Sequence, residues 1–239
     1  MRGVTRRTQI MSFELIPGVF LWKALLSPSE QSALLNDVIA RIARAPYFRP
    51  KMPRTGKAFS VEMTNFGALG WVSDKAEGYR YQPLHPETGQ SWPDIPPALL
   101  RLWSKLALYP SPPEACLVNR YRGKARMGLH QDLDESARDA PVLSVSLGDE
   151  ALFRVGVPAK RSPTSSIRLS SGDVILLGGP GRLCRHGIDR ICEGSSTLVP
   201  GGGRINLTLR RVQAAEIETA GQSADRPPIA PVSAGIGRG

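Results

Sequence analysis

The sequence of 239 residues is long enough for one large domain or two small ones, and its 41% hydrophobic content supports a globular core. Its formal net charge of +10 favours a polyanionic partner, with nucleic acid the first candidate, although many basic proteins bind none. No apolar run reaches the ~18 residues of a membrane span, which argues against a membrane protein. Three cysteines without C-x-x-C spacing argue against a disulfide scaffold or a zinc ribbon, and they favour a reducing, cytoplasmic location.

The first half of the chain is predicted to hold two helices and an aromatic region. After a basic N-terminal segment, residues 1–12, an apolar stretch from Phe13 predicts two short strands around a turn. The pattern Ser27-Pro28-Ser29-Glu30 predicts a capped helix with proline at its first position. A second helix is predicted over residues 96–107. Between the helices, residues 47–97 mix aromatic and cationic side chains, which suits either base stacking with phosphate neutralisation or a core beneath loops.

The second half of the chain changes to short β-rich runs separated by turn residues, a pattern typical of a β-sandwich or barrel. The runs are residues 115–121, 142–147, 151–155, 166–169, 173–177, 183–187 and 204–211. We therefore predict a single domain over residues 13–212, with the helices and the aromatic region in 13–112 and the β core in 113–212. Residues 213–239 lack a periodic apolar pattern and are predicted to be a disordered tail.

His130-Gln131-Asp132 is the strongest candidate for chemistry in the β-rich half. If the segment is extended, its first and third side chains point to the same side, so that an imidazole nitrogen and a carboxylate oxygen converge. Two such groups are two thirds of an iron site, and the missing ligand would be a histidine from a distant strand. His85 lies in a proline-rich loop, and we predict His186 as that ligand. The alternative is a surface turn with a solvated aspartate.

The last run alternates apolar with polar residues, and its polar face predicts an anion site. That face carries Arg204, Asn206, Thr208 and Arg210, with no acidic partner on it. Guanidinium groups bind carboxylates in a bidentate manner, although about 20 Å separates the two ends of such a strand. Asn119 and Tyr121 share a face in another run, and both can donate hydrogen bonds to a carboxylate. Iron held by two imidazoles and one carboxylate keeps three positions open, enough for a bidentate 2-oxo acid and dioxygen.

Six segments contain these residues in order along the chain: 117–121, 130–135, 144–148, 171–174, 186–188 and 204–210. Together they resemble the motifs of the AlkB family of iron(II)- and 2-oxoglutarate-dependent dioxygenases, most closely the bacterial alkylated-DNA repair type. Upstream, Met63-Thr64-Asn65, Gly70-Trp71 and Gly78-Tyr79-Arg80-Tyr81 resemble the nucleotide-recognition region of that subgroup. Leu133 and Phe59 depart from the family pattern, which bears on the substrate range and leaves the iron chemistry intact.

The resemblance implies a fold and a set of site residues. The fold would be mainly β with flanking helices, a double-stranded β-helix or jelly roll that carries an N-terminal nucleotide-recognition lid. The implied iron ligands and catalytic residues are His130, Asp132 and His186. The residues implied around 2-oxoglutarate are Asn119, Tyr121, Arg204, Asn206, Thr208 and Arg210, with Arg204 and Tyr121 at the distal carboxylate. The implied substrate contacts are Trp71, Tyr79, Met63, Asp134 and Arg161.

The reaction implied by the resemblance is oxidative demethylation of 1-methyladenine and 3-methylcytosine in DNA with dioxygen, releasing formaldehyde, succinate and carbon dioxide. Because the methyl group sits on a base edge that is inaccessible in a duplex, the DNA would be single-stranded or have its base flipped. RNA is a further possible partner, and the protein would act as a monomer. The alternatives are a dioxygenase of the same fold acting on RNA or protein, a non-catalytic nucleic-acid-binding module, and a structural jelly roll.

Overall fold

The computed structural model describes residues 11–159 and 161–214, so most of the predicted basic segment and of the predicted tail lie outside the described residues, as does Lys160. The strands are β1 (Phe13–Ile16), β2 (Val19–Trp22), β3 (Glu62–Gly67), β4 (Gly70–Asp74), β5 (Gly78–Gln82), β6 (Ala115–Tyr121), β7 (Met127–His130), β8 (Val142–Gly148), β9 (Glu150–Gly156), β10 (Ser165–Leu169), β11 (Val174–Leu177), β12 (Arg185–Cys192) and β13 (Arg204–Arg210). The helices are α1 (Pro28–Ile42) and α2 (Pro97–Leu106), and a 3-10 turn covers Gly179–Gly181. No helix within the described ranges is long and apolar enough to cross a membrane.

Two antiparallel sheets make up the β core. The large sheet has the order β1-β2-β11-β8-β13-β6-β3, and the small sheet has the order β10-β9-β12-β7. Apolar side chains of both sheets, among them Val142 and Ile175 of the large sheet and Phe153 and Ile188 of the small one, form one cluster between them. The predicted mainly β fold of the jelly-roll type is therefore confirmed, with β13 and β8 at the centre of the large sheet.

The two faces of β13 have different neighbours, as its alternation predicts. Ile205, Leu207 and Leu209 are buried in a second cluster that contains the apolar residues of both helices. The opposite face carries Arg204 and Arg210 toward the space between the sheets, and all seven residues of the strand are buried. Two buried arginines on one strand need buried partners, because an uncompensated charge in a protein interior is costly.

Both predicted helices form and cover the outer face of the large sheet. Ser27 accepts a hydrogen bond from the Glu30 amide at the start of α1, and Glu30 in turn accepts one from the Ser27 amide, so the predicted capping box is confirmed. Leu34 and Val38 of α1 pack in the same cluster as Leu99 of α2. The helices thus seal one side of the sheet and leave its other side for the site.

The aromatic region of residues 47–97 is more regular than the sequence predicts. It contributes β3 to the edge of the large sheet and folds β4 and β5 into a separate hairpin. The Asn65 side chain holds the hairpin to β3, since it donates to the Trp71 carbonyl at 3.0 Å and accepts from the Trp71 amide at 3.1 Å. Gly70 permits this approach, because a Cβ atom there would lie 2.4 Å from the Trp92 ring. We call the β4–β5 hairpin the lid.

Two strand assignments differ from the sequence prediction. The run predicted at residues 183–187 begins as β12 at Arg185 and continues through Asp189 and Arg190 to Cys192, because those charged side chains face solvent while the backbone still pairs with β9. β7 was not predicted, since it spans only four residues and contains Gly128. Gly187 lets β7 and β12 meet, because a Cβ atom there would lie 2.6 Å from the Met127 carbonyl.

Candidate metal and cosubstrate site

Three side chains from separate segments converge at one end of the small sheet. His130 ends β7 and is the register partner of His186 on β12, so the two imidazole rings lie 4.5 Å apart. Asp132 follows two residues after the end of β7, and its carboxylate lies 3.6 Å from His130 Nε2 and 3.7 Å from His186 Nε2. β7 ends at His130, so Asp132 lies just outside the strand, and the ligand atoms of the three residues lie within 4.8 Å of one another.

Both histidines have the tautomer that a metal site needs. His130 Nδ1 lies 2.9 Å from the Gly128 carbonyl, and His186 Nδ1 lies 3.2 Å from the Cys184 carbonyl. A carbonyl can only accept, so each Nδ1 carries the proton and each Nε2 presents a lone pair toward Asp132. Burial lowers the pKa of His186 to about 4, which keeps this imidazole neutral at physiological pH.

Asp132 is held as a carboxylate with one oxygen free. Arg210 Nη2 donates to its Oδ1 at 2.7 Å, whereas the buried Oδ2 has no partner among the described residues. Burial alone would raise the pKa of Asp132, but nearby positive charge, that of Arg210 first, more than offsets burial and holds it well below its ordinary range. An unpaired buried carboxylate oxygen beside two imidazole lone pairs is the donor set of a divalent iron site.

The third histidine, His85, has a structural role in the loop. It is 2% exposed, and its Nδ1 accepts from the amides of Glu87 and Thr88 at 3.1 and 3.2 Å. Its Nε2 must then donate to the Pro46 carbonyl, 2.8 Å away, so neither nitrogen is free for a metal.

We expect His85→Ala to lower the free energy of unfolding by about 1–3 kcal/mol, because it removes the buried side chain that bonds the Pro46 carbonyl and two amides. Urea denaturation would measure this loss, and iron binding per folded molecule should not change. Loss of iron binding by folded His85→Ala protein would contradict the structural role.

Arg204 is a buried cation that has no carboxylate within 4 Å among the described residues, and it is 1% exposed. Its Nη2 donates to Ser146 Oγ at 3.0 Å and to Asn206 Oδ1 at 2.6 Å, while Nε and Nη1 have no partner. Burial lowers the pKa of Arg204 to about 10, which still leaves it charged at neutral pH. Two donor atoms of this guanidinium are therefore available to a carboxylate that enters between the sheets.

The other residues of this face line a cavity that ends at His130 and His186. Asn206 is the register partner of both Asn119 and Ser146, and the buried Asn119 Oδ1 has no partner in the described part of the chain. Thr208 Oγ1 accepts from Asn206 Nδ2 at 2.6 Å. Tyr121, the register partner of Arg204, has its ring 5.5 Å from that guanidinium. All of the predicted residues except Arg204 line this cavity, as does Ser144. Arg204 is joined to them through its hydrogen bonds to Asn206 and Ser146. The sequence suggested no role for either serine.

A second cavity, of about 300 Å³, opens onto the same triad from the side of the lid. It is lined by Phe59, Met63, Trp71, Tyr79, Leu117, Asn119, Met127, His130, Gln131, Asp132, Leu133, Asp134 and Arg210. Trp71 and Tyr79 stack with ring centres 5.5 Å apart, and Trp71 Nε1 donates to Asp134 Oδ2 at 2.8 Å. Arg161, by contrast, is exposed in the loop between β9 and β10 and does not line this cavity.

Comparison with known proteins agrees with this geometry. Residues 18–210 match the family described as the 2OG-Fe(II) oxygenase superfamily. The chain is 56% identical over 201 residues to the alpha-ketoglutarate-dependent dioxygenase AlkB homolog of Caulobacter vibrioides, covering 84% of this chain and 90% of that protein. It is 38% identical over 197 residues to AlkB of Escherichia coli, covering 81% and 89%. The chain belongs to the AlkB family. The solved structure of OsALKBH1 superposes with a TM-score of 0.73 and 28% identity, over 84% of this chain and 100% of that one.

As an AlkB-family dioxygenase, the protein uses Fe(II) and 2-oxoglutarate, and its own atoms fit both groups. The unpaired Asp132 Oδ2 and the two Nε2 atoms suit the ion, and the unpaired Arg204 nitrogens suit a dicarboxylate. The polar face of β13 carries no acidic residue, as the sequence indicates, but Arg210 has acidic partners from elsewhere in the chain. Its guanidinium pairs with Asp132 at 2.7 Å and with Glu135 at 2.8 Å. Both acids come from a loop that the alternation of β13 cannot reveal.

Glu135 and Arg182 complete the AlkB-family site, and neither had a predicted role. Glu135 is 1% exposed; its Oε2 accepts from Arg182 at 3.0 Å and its Oε1 accepts from Tyr81 of the lid. Arg182 also donates to the Asp132 carbonyl at 3.1 Å. Burial would raise the pKa of Glu135, but Arg210 lowers it further, so this acid stays ionised. The three acidic residues among positions 132–135 were the sequence signal that could have indicated acidic partners for Arg182 and Arg210.

Proposed function

We propose that this AlkB-family dioxygenase removes methyl groups from 1-methyladenine and 3-methylcytosine in DNA by oxidation, which reverses alkylation damage directly. The observation that carries the proposal is the aromatic, acidic cavity beside Trp71 and Asp134, which opens onto the iron triad. A flat base can enter there edge first, with its methyl group toward His130 and Asp132. The shape and the charge of this cavity support the choice of a methylated base as substrate.

The lining of the cavity suits a methylated base. Trp71 offers a ring face for stacking, and His130 forms the opposite wall. Both 1-methyladenine and 3-methylcytosine are cations, and the exposed Asp134 carboxylate at the cavity favours a cation over a neutral base. Met63 is buried and forms part of the apolar wall. Tyr79 is 51% exposed at the rim, where it is suited to contact the strand on either side of the base.

The cavity between the sheets is suited to 2-oxoglutarate. In this proposal Arg204 and Tyr121 bind the distal carboxylate, and Asn119 contacts the end nearer the iron; the Tyr121 ring lies 5.5 Å from the Arg204 guanidinium, and Asn119 lines the cavity that ends at His130 and His186. We assign Arg210 an indirect role there, because its guanidinium is already paired with Asp132 and Glu135. Asn206 and Thr208 hydrogen-bond to each other and hold the Arg204 fork in position.

When bound, iron(II), 2-oxoglutarate and dioxygen supply the oxidation that converts an N-methyl group to an N-hydroxymethyl group. The latter releases formaldehyde and leaves the restored base. The chain itself does the rest: Asp132 and the histidines fix the ion, Arg204 orients the cosubstrate, and the apolar wall of Met63 limits water. We further propose that the protein is a cytoplasmic monomer that acts on single-stranded DNA or on a flipped base.

The test is anaerobic reconstitution of the protein with Fe(II) and 2-oxoglutarate, followed by air and a single-stranded DNA oligomer that contains 1-methyladenine. Mass spectrometry would follow loss of the methyl group. We expect demethylation that needs both cofactors and falls below detection in His130→Ala, which removes an iron ligand. His85→Ala, matched in residue type but distant from the iron, should retain activity per folded molecule.

Two outcomes would contradict the proposal. Succinate formation without repair of DNA would leave the dioxygenase in place and redirect the search to RNA, tested with the same lesion in a ribo-oligomer, or to protein. Full activity of His130→Ala would contradict the assignment of the iron ligands.

A further inference from the structure

The outer face of the small sheet carries a groove that has no part in the site described above. The groove has a volume of about 540 Å³, and its cationic members are Arg126, Arg154 and Arg190. Its floor includes Leu129, which is 38% exposed, and the half-buried Leu152. We call this the outer arginine groove. It lies on the side of the small sheet that faces away from the helices and from the cavity between the sheets.

The groove adjoins the base cavity along one strand. Met127 of β7 lines both of them, and β7 continues from the groove to the iron ligand His130. Gly128 and Leu129 are exposed between these two points. A chain molecule that places one unit in the base cavity therefore has a continuous surface along β7 toward the groove.

The charges of the groove are largely uncompensated. Arg126 and Arg190 are exposed, and neither has a carboxylate within 4 Å in residues 11–159 and 161–214. Arg154 lies 3.6 Å from Asp189, the single acidic residue of the groove. Thr164 Oγ1 accepts from Arg154 Nε and Nη2 at 3.2 and 2.8 Å, which holds this guanidinium at the surface. Three guanidinium groups against one carboxylate leave a net positive groove.

We propose that the outer arginine groove binds the phosphodiester backbone of the nucleic-acid strand on one side of the base in the cavity, which rests on the proposed function. Exposed arginines bind phosphates, and such contacts position a strand without reading its sequence. The partly apolar floor suits the sugars between the phosphates. An acidic protein surface would meet the same charges, but it would lack a unit that enters the base cavity and so would gain nothing from the continuity along β7.

The test compares an Arg126→Gln/Arg190→Gln double variant with wild type. Binding to a single-stranded oligomer of about 15 nucleotides with a central 1-methyladenine is followed by fluorescence anisotropy over a series of salt concentrations. Each lost phosphate contact lowers the slope of log Kd against log salt by about 0.7, so we expect a fall of about 1.4. Arg44→Gln/Arg101→Gln, on the helical side of the large sheet, is the matched control and should keep the wild-type slope.

The free deoxynucleoside of 1-methyladenine separates the groove from the active site, because it carries no phosphate that the groove could bind. We expect the double variant to demethylate the nucleoside at the wild-type rate while its affinity for the oligomer falls. An unchanged salt slope would overturn the groove proposal, and so would an equal loss of activity on the nucleoside. If the slope falls but wild type demethylates neither the nucleoside nor the oligomer, the groove stands and the proposed function fails.

Discussion

Replacing Arg204 with methionine is expected to weaken 2-oxoglutarate binding by about 100- to 10,000-fold, while the cofactor-free protein stays as stable as wild type. Two charge-assisted hydrogen bonds from the unpaired Nε and Nη1 would be lost, at about 1.5–3 kcal/mol each. In the absence of ligand the same guanidinium is buried without a carboxylate, so its removal relieves a desolvated charge. Loss of a cosubstrate-binding arginine should therefore leave the stability of the ligand-free protein unchanged, whereas loss of a structural arginine should lower it.

Isothermal titration with 2-oxoglutarate in the presence of a redox-inert divalent metal would measure the affinity, and urea denaturation would measure the stability. Arg204→Lys is the matched control, because it keeps the positive charge but lacks the planar guanidinium group. Its affinity for 2-oxoglutarate should lie between those of wild type and Arg204→Met. If Arg204→Met bound 2-oxoglutarate normally, or if it lost several kcal/mol of stability without ligand, Arg204 would not be the carboxylate-binding residue.

Replacing Glu135 with alanine is expected to lower the free energy of unfolding by about 3–5 kcal/mol. Glu135 is the carboxylate paired with Arg182, which is 3% exposed, and it also accepts from Tyr81 of the lid. Removing one member of a buried ion pair leaves the other charge uncompensated. Urea denaturation followed by tryptophan fluorescence would measure the loss.

The Glu135→Ala/Arg182→Met double variant serves as the control for this prediction. The double variant removes both charges, so its loss in free energy of unfolding should be smaller than the sum of the losses in the two single variants. Additive effects would show that the two residues do not interact.

The pH dependence of the Glu135 contribution follows from the direction of its pKa shift. The pKa is lower in the folded protein than in the unfolded chain, so the stabilisation is complete above the ordinary glutamate pKa of about 4.3. It is lost as the pH falls through the lowered pKa of the folded state. The stability difference between wild type and Glu135→Ala should therefore shrink in acid.

The sequence predicted those parts of the site that depend on local periodicity. The alternation of β13 placed Arg204 and Asn206 on one face, and the small number of histidines left two candidates for the third ligand. The capping box at Ser27 marked the start of α1, where the structure has it. Each of these features is determined by residues that are neighbours in sequence, so a single strand or helix is enough to reveal them.

The partners of Arg210 could not be predicted in this way. Asp132 and Glu135 lie 78 and 75 residues away in sequence, and they reach Arg210 only because the loop after β7 folds back over the end of β13. The lid hairpin was missed for a different reason: β4 and β5 form a sheet of their own, and their glycine, aromatic and charged residues suit a loop as well as a strand. The outer arginine groove joins β7, β9 and β12, which no periodicity connects.

The segment from His130 to Glu135 carries four site residues with three separate tasks among six consecutive residues. His130 and Asp132 would hold the iron, Asp134 accepts from Trp71 of the lid, and Glu135 is buried between two arginines. A deletion of one residue here would shift all four residues at once, whereas the exposed loop between β9 and β10 can gain or lose residues without moving them. Insertions should therefore be tolerated in that outer loop and not in this short segment.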